Sequence, residues 1–239
     1  MQPISEVAAE PATFTHKFFG WLEAKAMRWT NPDGSEGGIV ALDATVPADC
    51  KVPADSVIGP RASIGDGASI GHGASIGDGA SIGDGASIGA RASIGARASI
   101  GPRASIGPRA SIGDGASIGD GASIGGDGAS IGHGASIGDG ASIGDGASIG
   151  HGASIGDGDW FMTIGPIGSR SAMSLAVHNK ENGLRWWVGC QHGITSDALR
   201  ARVKDTHGDN AHAINYMLAI EFVESHPALA AHIKTLEAA

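Results

Sequence analysis

Ten histidines and two cysteines are the side chains of this chain best equipped for chemistry near neutral pH. Three of the histidines, His72, His133 and His151, stand in the same context, "IGHGASIG". A histidine can take a proton from an attacking hydroxyl or amine and return it to a leaving group, so these are the candidate general bases. His133 and His151 are also a weak candidate pair for a metal ion, but two ligands fall short of a typical zinc site. Cys190, His192, His207 and Asp209 include the residue types of a thiol nucleophile and its base, and become a site only if folding gathers them. The plainer expectation is that the GHG histidines are drift from the Asp-Gly at equivalent positions, and that the Cys190 group caps and packs an end-domain. No metal and no cofactor are expected.

The elements that must carry these residues are set by a repeat. "ASIG" occurs sixteen times between Ala62 and Gly156. Every sixth residue is aliphatic from Val40, Val46 and Val52 through Ile58 and Ile64 to Ile124. One extra glycine enters at Gly125–Gly126, and the period resumes from Ile131 to Ile155, with a continuation in phase at Phe161 and Ile167. Ala and Ile are two apart in each unit, so in an extended strand they share a face while Ser points the other way. Glycine after each Ile is expected at a corner, in a conformation with positive φ, and the Asp-Gly that follows is turn chemistry too. A helix is excluded, because glycines at this density would cost about 1 kcal/mol each against alanine.

The pattern aliphatic-Gly-x-x-small-x resembles the hexapeptide repeat of left-handed β-helix proteins. The fold class expected is therefore mainly β: a left-handed parallel β-helix, a triangular solenoid of about seven coils, closed by a different cap at each end. The left hand comes from the resemblance alone, since general rules favour right-handed crossovers. Three units per coil stack residues eighteen apart at about 4.8 Å. One edge should then carry Arg61, Asp78, Arg97, Asp114, His133 and His151, an alternating ladder worth at most about 1 kcal/mol per pair. A second should carry Asp66, Asp84, Arg103, Asp120, Asp139 and Asp157, repelling itself unless cations attend it. The third should carry His72, Arg91, Arg109, Asp127 and Asp145. Cys50 falls at the small inward position of its unit and is read as a core residue, not a reactive thiol.

All the aromatic residues precede Thr30 or follow Asp159, so the repeat must build its core from small and aliphatic groups. The expected domains are an N-terminal cap (1–39), the β-helix (40–168) and a C-terminal cap (169–239). In the first cap, aromatics of "FTHKFFGWLEAKAMRW" are placed to cover the first coil. In the second, "SAMSLAVH" and "LRWWVGC" flank the turn "NKENG" as a hairpin. Helices are expected over Ser196–Thr206, Asn210–Ser225 and Ala228–Glu237, with Gly208 ending the first and Asp209 capping the second. The residues Thr163 to Arg170, Gly189–Cys190 and Thr206 to Asn210 resemble the ends of small uncharacterised repeat proteins of bacteria and their prophages.

The net charge of −9 argues against a nucleic-acid binder. Two cysteines distant in sequence suit a reducing compartment, and neither a leader nor a membrane-length apolar run is evident, so a cytoplasmic protein without a membrane partner is expected. Three functions compete. The class resemblance implies acyl transfer from coenzyme A, with His133, His151 or His72 as base. Against it, such enzymes wall their clefts with long loops, and this solenoid ejects a single glycine. The companion histidine of the related carbonic anhydrases is missing, with Gly77 and Gly138 in its place. Ice or surface binding would use outward Ser ranks, but only one Ser per strand is offered. A non-catalytic structural or interaction solenoid is therefore the leading expectation, self-associating as the homotrimer common in this class and neither binding nor turning over coenzyme A thioesters.

Overall fold

A computed structural model describes residues 12–125, 128–168, 172–189 and 191–238. The inserted Gly126, its neighbour Asp127 and Cys190 lie outside the described residues. Two-residue parallel strands run from Val57–Ile58 to Ser154–Ile155 and stack in three sheets, making a β-solenoid of about six turns. Ser93 lies over Ser75 and under Ser111, each Ile likewise over the Ile of the coil before. The inserted residue does not break this register, for Ser111 still stacks on Ser130. Inside, the Ile and Ala ranks form one continuous apolar core, with Ile58, Ile76 and Ala86 fully buried. Each buried Ile contributes about 1.5–3 kcal/mol, summed along a one-dimensional stack. Cys50 belongs to this core, and burial pushes its thiol pKa up, with the Asp49 charge adding to the shift.

The corners work differently from the sequence expectation. In the unit Gly65-Asp66-Gly67-Ala68, the Ala68 N–H donates to the Gly65 carbonyl, closing a β-turn whose third residue, Gly67, has φ +67°. That is the type II requirement. The positive φ thus belongs to the second member of the variable pair, and in Ala-Arg and Pro-Arg units an arginine adopts it, as at Arg61, Arg91, Arg97, Arg103 and Arg109. Within the coils, from Gly59 to Gly156, the glycine after the repeat Ile has no such φ. It is required by stacking: a Cβ on Gly101 would sit 2.7 Å from the Asp120 nitrogen of the next coil. Where no coil follows, at Gly144, a Cβ would meet nothing within 4 Å.

The spiral ends at Ile155, two repeat units short of the continuation expected at Phe161 and Ile167. Trp160–Ile167 stays in phase by sequence but leaves the coil as a long strand, antiparallel to Ala172–Asn179. Its backbone finds partners in that hairpin, so pairing overrides the residue period. With Gly183–Val188 and Gln191–Ile194 these two strands form a four-stranded sheet. Leu175 and Val177 face the last coil from one side of it, while Ala176, Trp186 and Val188 face the helices on the other. The helices are Ser196–His207, Ala211–Glu224 and Pro227–Glu237. Gly208 ends the first as expected, but the cap of the second is Asn210, whose side chain accepts from His212 and Ala213 N–H. At the other end, Thr13–Phe18 pairs with Leu22–Thr30, which pairs in turn with Glu36–Ala41, and the three strands extend one face of the prism. Trp29 packs on the first coil and donates from its indole nitrogen to the Cys50 carbonyl at 3.0 Å, whereas Trp21 at the hairpin tip is 68% exposed. No helix among the described residues is long and apolar enough to cross a membrane.

Candidate functional site

The three GHG histidines occupy equivalent turn positions but different surroundings. His72 is the second residue of the turn closed by Ala74 N–H on Gly71. Its Nδ1 lies 3.3 Å from Asp55 Oδ1, on the preceding coil. The Gly73 amide, followed by the charge and hydrogen bond of His72, holds the Asp55 carboxyl below its ordinary range. An acceptor at Nδ1 leaves Nε2 with the lone pair when the ring is neutral. On the next two coils the same edge presents Arg91 and Arg109, linked through Arg91 N–H to His72 C=O and Arg109 N–H to Ala90 C=O. Asp55, His72, Arg91, Arg109 and Asp145 line one open cleft of about 640 Å³. Their arrangement combines an oriented base with two guanidinium groups and a second carboxylate.

His133 and His151 stack with ring centroids 5.0 Å apart and planes 7° from parallel. His192, from the C-terminal sheet, extends the stack at 6.2 Å. Asp114 approaches His133 Nδ1 less closely, at 3.7 Å. Parallel rings at this separation aim their in-plane lone pairs side by side, not at one point, so the pair is a poor ligand set. Among the described residues no group of three or more metal-ligating side chains converges. The expected grouping around Cys190 divides: His207 stacks on Tyr216, whereas His192 belongs to the His151 column.

The edges differ from simple charge ladders. Arg61 pairs with Asp78 through both guanidinium nitrogens, as expected. On the acidic edge, however, carboxylates are acceptors for turn amides, Asp84 for Asp66 N–H at 3.0 Å and Asp139 for Asp120 N–H at 2.8 Å. Sequence reasoning missed Asp55. The available signal was the seventeen-residue offset it shares with the Arg61–Asp78 pair.

The repeats match the family described as bacterial transferase hexapeptide (six repeats), at residues 61–96 and 91–126. Solved structures similar to this chain include a variant of GDP-perosamine N-acetyl transferase from Caulobacter crescentus in complex with CoA and GDP-perosamine (20% identity, 54% of this chain and 54% of that one, TM-score 0.40). Another is the acetyltransferase domain of PglB from Neisseria gonorrhoeae (24% identity, 49% and 53% covered, TM-score 0.27). A third is UDP-N-acetylglucosamine O-acyltransferase from Moraxella catarrhalis (15% identity, 83% and 96% covered, TM-score 0.29). The chain spans about half the length of the first two. No curated protein matches it, and the likeness of its ends to prophage proteins finds no support. The chain is a hexapeptide-repeat β-solenoid. The match of residues 61–126 to a transferase family goes against the non-catalytic module that was the leading expectation from the sequence.

Proposed function

We propose that this chain is an acyl-CoA-dependent acyltransferase with His72 as general base. The observation that carries the assignment is the 3.3 Å approach of Asp55 Oδ1 to His72 Nδ1 in a cleft shared with two arginines. Asp55 holds the ring so that Nε2 accepts the proton of an acceptor hydroxyl or amine as it attacks the thioester carbonyl. The tetrahedral intermediate collapses, the C–S bond breaks, and the proton on Nε2 passes to the departing thiolate. Arg91, on the coil after His72, is the cation placed to meet the phosphates of the acyl donor. The three-sided solenoid, with outward Ser ranks on its faces, supports a homotrimer, which sedimentation equilibrium tests directly. The location is proposed to be the cytoplasm, where coenzyme A thioesters are available.

The test is thiol release from acetyl-CoA over a panel of sugar and amine acceptors. His72→Ala should lower the rate by about 10²–10⁴-fold without unfolding the protein, because the side chain is largely exposed. Full activity in that variant, or no calorimetric binding of acetyl-CoA to the native chain, would remove the assignment.

A further inference from the structure

A second cavity, of about 600 Å³, lies between the last coil and the C-terminal sheet. Its volume falls within the ~300–1,000 Å³ typical of small-ligand clefts. Trp187 forms one wall. Glycine lets it approach the solenoid closely: a Cβ on Gly150 would lie 3.2 Å from Trp187 Cβ. Half-buried and packed against the solenoid core, the ring offers an apolar face to the cavity.

Polar groups of both charge signs line the same cavity. Asp157 comes from the final Asp-Gly turn, Lys180, Glu181 and Asn182 from the hairpin tip, and Arg185 from the strand leading to Trp187. Asp159, at the floor, accepts the Gly156 amide at 2.7 Å. Asp157, Lys180 and Glu181 form no ion pair among the described residues, although both signs of charge line the same cavity. Three carboxylates against two cations leave the cavity without positive excess, which disfavours a phosphate-bearing ligand. Acceptors, donors and an aromatic face together match a ring bearing hydroxyls, each of which can donate and accept at once.

We infer that this cleft binds an uncharged saccharide, with the ring stacked on Trp187 and its hydroxyls shared among Asp157, Asn182 and Arg185. The inference does not rest on acyl transfer at His72, which lies several coils away along the solenoid. Calorimetric titration of the full-length protein with maltose, cellobiose and diacetylchitobiose, each to about 20 mM, tests it. Saturable binding of at least one disaccharide is expected, weakened about tenfold or more in Asp157→Asn and Asn182→Ala and unchanged in His72→Ala. Both substituted residues are exposed, and circular dichroism of the variants checks that they fold. No binding by any of the three sugars overturns the inference. So does binding that survives both substitutions, and so does displacement of the sugar by acetyl-CoA.

Discussion

The Asp84 carboxylate accepts the backbone N–H of Asp66, one coil earlier, at 3.0 Å. The same contact recurs where an aspartate stands one coil above a turn amide, as Asp114 does for Ala96 N–H and Asp139 for Asp120 N–H, both at 2.8 Å. A column that reads as self-repelling in sequence is therefore bound to the backbone. Asp84→Ala should cost about 1 kcal/mol, measured by denaturant unfolding. Asp84→Asn, which keeps an acceptor oxygen, should recover most of that loss.

Glycine after isoleucine is required by the coil above it. Gly101→Ala places a Cβ 2.7 Å from Asp120 N and should destabilise by about 1–3 kcal/mol. Gly144→Ala, with open space at the same position of its unit, should change stability little. Equal melting temperatures for the two variants would show that stacking is not the constraint.

Arginine in the left-handed region is a cost that glycine avoids. Arg97 has φ +56°. The Cβ penalty of about 1–2 kcal/mol there exceeds the ~0.5–1 kcal/mol of chain entropy that glycine adds to the unfolded state. Arg97→Gly should therefore raise the unfolding midpoint slightly, and combining it with Arg103→Gly should raise it further.

The C-terminal cap should loosen in acid. His178 on the sheet meets His232 on the last helix edge-on, with ring centroids 5.2 Å apart, and a buried nitrogen of each lacks a hydrogen-bond partner. Burial, then the His232 charge, hold the His178 pKa below the ordinary 6.5, although Asp159 opposes the shift. The unfolded chain then binds more protons, so this contribution is complete above pH 6.5 and is lost as pH falls through that value towards the lowered one. Protection of the Pro227–Glu237 amides relative to their intrinsic exchange rates should fall between about pH 7 and pH 5, and His178→Gln should flatten the dependence.

Much of the fold was legible because a six-residue period is a local property repeated many times. Whether Ile82 faces inward depends only on strand alternation, and the same answer recurs in every unit, so no single error could overturn it. The helices after Thr195 were legible for a similar reason: their caps and the Gly208 stop act within a few residues. The His72 cleft was legible in part. Its base and its two arginines fall on one edge by arithmetic, but Asp55 sits in the irregular unit "VPADSV", where no repeat advertises it.

What only the tertiary structure decided were relations between coils and between coil and caps. The diagonal that joins Asp55 to His72, the collision that demands Gly101, and the amide that engages Asp84 all depend on how one turn lies over the next. Residue period cannot encode that offset. Phe161 and Ile167 keep the period and still leave the spiral, because backbone pairing with the hairpin satisfies more of their polar groups than another coil would. Hydrophobic spacing selects a face; hydrogen bonding between distant segments decides what that face meets.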